Sequence, residues 1–129
     1  MPGEILLDTT AIIGLFNQDP SVVASLSEIE QTFTSSIAVG ELFYGAFKSE
    51  QAERNLRKLR DFVLASTILS VTGGTAEIYG RVKNQLRQRG RPIPENDIWI
   101  AAIALEHDLE LAARDVHFGE VEGLRLLSW

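Results

Sequence analysis

Short apolar runs bounded by polar or turn residues recur at positions 5–7, 33–35, 68–71, 109–112 and 125–127, each of strand length. Segments with helical spacing lie between them, the first at 10–16. This alternation predicts an α/β chain with a short, mostly parallel sheet and helices on both faces. In 49–65, Ala52, Leu56, Leu59 and Val63 share one helical face, while Arg54, Arg57, Lys58 and Arg60 mostly take the other. Residues 75–89 repeat the pattern, with Tyr79, Val82 and Leu86 opposed by Arg81, Lys83 and Arg87. Gly73 and Gly74 are expected to form a turn between these elements. The run Gly90-Arg91-Pro92-Ile93-Pro94 cannot be regular helix, since two prolines remove donors and restrict the residues before them. A new helix is expected just beyond it, capped by Glu95 or Asn96, with Asp97 in the first turn. From 98 to 105 that helix is apolar almost all round, which predicts burial between the sheet and another layer.

Composition narrows the picture without changing it. A chain of 129 residues with 45% hydrophobic and 23% charged content fits a single domain, 1–129, with a real core. It has no cysteine, which excludes disulfides, thiolate nucleophiles and cysteine-ligated zinc. The start, MPGEILLDTT, lacks a basic leader region and a long apolar stretch, and the longest apolar run is that at 98–105. No membrane association is expected, and a cytoplasmic location is the default.

Charge changes the picture more. The net charge is -6, yet residues 48–91 carry ten basic residues against four acidic ones, and the remainder is strongly acidic. A polyanionic partner could approach the basic part while phosphate and metal meet at an acidic focus. Solvated faces of two amphipathic helices would give the same distribution.

Four acids interrupt otherwise apolar contexts: Asp8 in LLD, Glu41 in IAVGELF, Asp97 in ENDIWIAAIAL and Asp115 in LELAARD. A carboxylate in such company is costly unless something pairs with it. Open parallel sheets build their sites beyond the carboxyl ends of the strands, where the following helices begin, and these four positions suit that rule. Ligation by carboxylate oxygens alone favours a hard ion, Mg²⁺ or Mn²⁺, which can activate water against a phosphodiester. Taken singly, Asp8, Asp97 and Asp115 also read as ordinary caps or turn residues, whereas Glu41 would need a narrow polar stripe shared with Tyr44 and Lys48. His107 reads as a helix C-terminus, and His117 as a loop-packing residue close to Asp115. There is no phosphate-binding G-x-x-x-x-G-K-[ST] loop, no G-x-G-x-x-G fingerprint and no G-x-S-x-G elbow.

The segments LLDTTAIIGLF, TSSIAVGELFYG, IPENDIWIAAIAL and LAARDVHFGEVEGLRLL, in this order, resemble the motifs of PIN-domain proteins, and in particular the VapC toxins of bacterial toxin-antitoxin pairs. The resemblance implies a three-layer α/β/α sandwich and a Mg²⁺- or Mn²⁺-dependent endoribonuclease. It makes Asp8 and Asp97 direct metal ligands, with Glu41 and Asp115 completing the pocket and Thr9 and Asn96 beside it. It also implies a cognate antitoxin, an RNA substrate and a homodimer. Phe43, Tyr44 and Phe47, with Leu56 and Leu59, would offer a partner apolar area between two helices, or else form core. Arg54, Arg57, Lys58, Arg81, Lys83 and Arg87 would steer the RNA backbone. One departure stands out: Ala113 occupies a position where the family commonly has threonine, which weakens Asp115. Two rival readings remain. One is a catalytically silent PIN-like module that binds RNA or protein. The other is a phosphatase with Asp8 as nucleophile, although Thr10 stands where the second aspartate of the D-x-D pattern would be.

Overall fold

A computed structural model describes residues 3–129. In chain order the elements are β1 (Glu4–Leu7), α1 (Thr9–Phe16), α2 (Pro20–Leu26), β2 (Gln31–Ser35), α3 (Ser36–Phe47), α4 (Ala52–Ala65), β3 (Ile68–Leu69), α5 (Gly73–Gln88), α6 (Glu95–Glu106), β4 (Glu110–Ala112), a 3₁₀ turn (Val116–Glu120) and β5 (Leu126–Leu127). The five strands form one sheet in the order β3-β2-β1-β4-β5, parallel throughout. Strand β1 is central, and Ile5, Leu6 and Leu7 are buried on both faces, which is why this strand reads as an unbroken apolar run rather than an alternation. From β1 the chain winds outward through β2 to β3, then crosses back to β4 on the other side of β1. Crossovers of this type turn right-handed, placing α1–α4 over one face and α5 and α6 over the other. The reversal leaves a crevice at the carboxyl ends of β1 and β4.

Local chemistry sets the helix starts. Ser35 caps α3, its hydroxyl accepting from the Ala38 amide at 3.0 Å. Thr72 caps α5 reciprocally with Thr75, and both hydroxyls donate to Glu106 at the end of α6. Gly73 and Gly74, expected as a turn, are instead the first residues of α5, because this capping box fixes a helical start at them. Helix α6 starts at Glu95, and its cap position is held by Pro94, with no side-chain cap, instead of Glu95 or Asn96. Helix α4 begins at Ala52, three residues later than its periodicity suggests. The short α2 is an addition to the elements read from the sequence: it carries one buried residue, Val22, too few for periodicity to register. Its local signal is Asp19 followed by Pro20, a cap and an N1 proline.

The core is continuous from sheet to helices. Phe118 is fully buried, and Ile98 and Ile100 to Ala104 bury nearly the whole circumference of α6. Tyr79 stacks face to face on Trp99, centroids 3.8 Å apart, joining α5 to α6, and Phe16 meets Phe62 edge-on between α1 and α4.

Gly14 is where α1 and α2 approach too closely for a side chain. A Cβ there would stand 2.6 Å from Cγ2 of the buried Val22. Alanine's helix preference, worth ~1 kcal/mol, would stabilise Gly14→Ala. The clash with a stiff β-branched neighbour costs roughly 1–3 kcal/mol and should win. Thermal unfolding should show a lower Tm for Gly14→Ala in the wild-type background, and a raised one when Val22→Ala has opened the space.

Candidate active site

The four acids arrive from four directions at the crevice beside β1 and β4. Asp8 follows β1 and caps α1, and its amide donates to the Ala112 carbonyl at 3.0 Å, closing the ends of the two strands. Glu41 projects from the second turn of α3, Asp97 from the first turn of α6, and Asp115 caps the 3₁₀ turn after β4. Together with Thr9, Thr10, Glu95 and Asn96 they line a cleft of about 520 Å³. No lysine or arginine lines it.

Hydroxyls and an amide orient these carboxylates. Thr9 Oγ1 donates to Glu41 Oε1 at 2.8 Å, and Thr10 Oγ1 donates to Asp8 Oδ2 at 3.1 Å. Asn96 Nδ2 reaches Glu41 Oε2 at 3.5 Å, a weak interaction. Thr9 and Asn96 thus both fall on Glu41. Ala113, which replaces the hydroxyl expected near Asp115, is buried.

His117, which the sequence reads as loop packing, stands in the site. Its Nε2 lies 2.6 Å from Asp97 Oδ2, and ligand atoms of Asp97, Asp115 and His117 all fall within 4.8 Å of one another. The 3₁₀ turn that begins after Asp115 carries His117 in its opening residues and buries the adjacent Phe118, which anchors the backbone beside the ring. The spacing D-x-H just after a strand is the available signal.

Crowding perturbs the acids. Burial is the main cause that pushes Asp8 up to about 6, aided by Asp97 and Glu41 and opposed by the Thr9 amide and the Thr10 hydroxyl. Burial also raises Asp97. The hydrogen bond and charge of His117 oppose this, while Glu41 and Asp115 reinforce it. A buried carboxylate, three neighbours of like charge and no basic chain among the lining residues make a donor set that fits a divalent cation.

The residues expected to steer RNA scatter. Lys58 Nζ donates to the Phe16 carbonyl at 3.3 Å beside a groove that includes Thr9 and Glu41. Lys83 pairs with Glu95 at 3.1 Å on the rim of the cleft. Arg54 is bonded to Gln51, and Arg57, Arg81 and Arg87 are exposed on α4 and α5. Of the apolar area expected to serve a partner, Leu56 and Leu59 are buried and Phe43 is half-buried, leaving Tyr44 and Phe47 exposed.

The family model described as PIN domain matches residues 5–124. The chain is 38% identical to Ribonuclease VapC2 of Haemophilus influenzae, over 98% of each chain. It is 31% identical to the tRNA(fMet)-specific endonuclease VapC of Shigella flexneri, again over 98% of each. Its fold matches VapBC-1 from nontypeable Haemophilus influenzae with a TM-score of 0.88, 28% identity and 98% coverage of both chains.

The displaced equilibrium of Asp8 has a thermodynamic consequence. The folded state holds this proton more tightly than the unfolded chain, so ionisation costs stability. With chelator present, this group's contribution to stability should be fullest below pH ~4 and should be lost as pH rises through about 6, by up to ~3 kcal/mol. Asp8→Asn should remove that decline and unfold at higher temperature than wild type at neutral pH, as thermal melts across pH will show.

Proposed function

This chain belongs to the PIN-domain family, and we propose that it is a metal-dependent endoribonuclease, the toxin of a toxin-antitoxin pair, that hydrolyses RNA phosphodiester bonds and is inhibited by a cognate antitoxin. The observation that carries this reading is the convergence of Asp8, Glu41, Asp97 and Asp115 on one cleft with no lysine or arginine in its lining. The relatives named as VapC ribonucleases match along almost the whole chain, which supports the same reading. Among the described residues no helix is long and apolar enough to cross a membrane. A cytoplasmic site of action, where RNA and an antitoxin are both present, agrees with that.

Asp8 and Asp97 would hold the cation, with Glu41 and Asp115 completing the pocket directly or through water. When bound, Mg²⁺ or Mn²⁺ offsets the carboxylate charge and supplies the electrophile that phosphodiester hydrolysis calls for. The protein's part is placement. Thr10 restrains the Asp8 carboxylate, Thr9 fixes one oxygen of Glu41, and the other oxygen faces Asn96. That second oxygen of Glu41 would complete the pocket, directly or through water. His117 holds Asp97 Oδ2, setting the direction in which the carboxylate presents its other oxygen. The hydrogen bond also favours the ionised form that binds cations.

RNA incubated with wild-type protein and Mg²⁺ or Mn²⁺ should be cut. Chelator, or Asp97→Asn, should reduce cutting to background; equal cleavage in all three reactions would sink the assignment. His117→Ala should cost about 10- to 100-fold in activity or metal affinity, the usual penalty for losing a group that orients a ligand. Titration with Mn²⁺ would separate the two effects.

A further inference from the structure

The cleft repels what it is proposed to cut, because an RNA strand must bring phosphates to a floor of carboxylates. Something at its edges must hold the polyanion. Four cations in this chain lie over aromatic rings: Lys48 over Tyr44 at 4.7 Å from the centroid, Lys58 over Phe16 at 5.1 Å, Lys83 over Tyr79 and Arg114 over Trp129 both at 5.6 Å. All four border the acidic cleft. Lys48 lines a groove that shares Glu41 and Asn96 with it, and Lys58 lines one that shares Thr9 and Glu41. Arg114 directly precedes Asp115 and lines a hollow that shares Thr10. Lys83 is bonded to Glu95 on the rim.

Their electrostatic partners differ. Lys83 is paired with Glu95, whereas among the described residues Lys48, Lys58 and Arg114 enter no salt bridge. An aromatic face attracts a cation through its quadrupole, restricting where the long side chain points without cancelling its charge. These three cations are therefore pre-positioned and remain available to an anion. The hollows of Lys58 and Arg114 both include Ile13 and Asn17, so both border α1, whose first turn adjoins the acids. None of Arg54, Arg57, Arg81 and Arg87 lines the cleft or these three hollows.

We infer that Lys48, Lys58 and Arg114 grip the RNA backbone, taking phosphates on either side of the one that reaches the acidic centre, so that the substrate is a single strand laid across the cleft. This rests on the ribonuclease reading. Tyr44 is 67% exposed, and the ring face turned away from Lys48 is one on which an unpaired base can stack next to those phosphates. A duplex would keep its bases from that face.

The test is the salt dependence of binding to a short fluorescent oligouridylate, followed by anisotropy in chelator so that cleavage does not intervene. Removing one cation that pairs with a phosphate should flatten the slope of log K against log salt by about 0.7 between roughly 50 and 200 mM potassium chloride. Lys48→Gln, Lys58→Gln and Arg114→Gln should each do so and weaken binding severalfold, while Arg81→Gln and Arg87→Gln should leave the slope unchanged. Circular dichroism of each variant confirms that it is folded. A slope that survives all three substitutions, an equal loss in the α5 controls, tighter binding to a matched duplex, or no retained oligonucleotide would each overturn the inference. Cleavage by wild-type protein with Mn²⁺ is measured in parallel. If it cuts RNA while the three variants keep the wild-type slope, only the grip is wrong; if it cuts nothing, the ribonuclease reading fails on its own.

Discussion

Like charge held close together is the constraint around which this molecule is organised. Asp8 is 3% exposed and lies near Asp97 and Glu41, and among the described residues no lysine or arginine lines the cleft. Such an arrangement survives only because the rest of the fold over-determines it. The central strand is buried on both faces, α6 is buried nearly all round, and the Asp8 amide is itself bonded into the end of β4. Apolar burial worth roughly 25 cal/mol per Å² holds the frame. The carboxylates then sit at its one topological reversal, where backbone amides and hydroxyls from separate elements can reach them.

Much of this is legible in the sequence, for identifiable reasons. The central strand, buried on both faces, appears as a continuous apolar run, and the five runs fall on the five strands to within two residues at either end. The four acids stand out because each breaks such a run. What escapes detection lacks a periodic signature. Helix α2 has too few apolar positions to show a face, and Gly73 and Gly74 look like a turn until the reciprocal caps of Thr72 and Thr75 are considered. His117 escapes because its approach to Asp97 depends on the local winding of a 3₁₀ turn and on the burial of Phe118 beside it, neither of which a linear spacing conveys.

The uneven charge along the chain acquires a different meaning in three dimensions. The basic excess of 48–91 is divided between α4, packed with α3, and α5, packed with α6, so it does not form one surface around the acids. Position relative to the cleft, and the partner each cation already has, discriminate among residues that composition treats as equivalent. Lys83 and Lys58 look alike in sequence and each lies over an aromatic ring, yet only Lys83 is also paired with a carboxylate, Glu95.

Three consecutive residues, Asp8, Thr9 and Thr10, tie the site together: the first through its amide to β4, the second through its hydroxyl to α3, the third through its hydroxyl back to the first. There is no loop between β1 and α1 to absorb a change of length. An inserted or deleted residue here would rotate the start of the helix by about 100° and break all three ties together. A change of length in the turn between α3 and α4, which holds none of these three ties, would leave the Asp8–Thr10 junction in register.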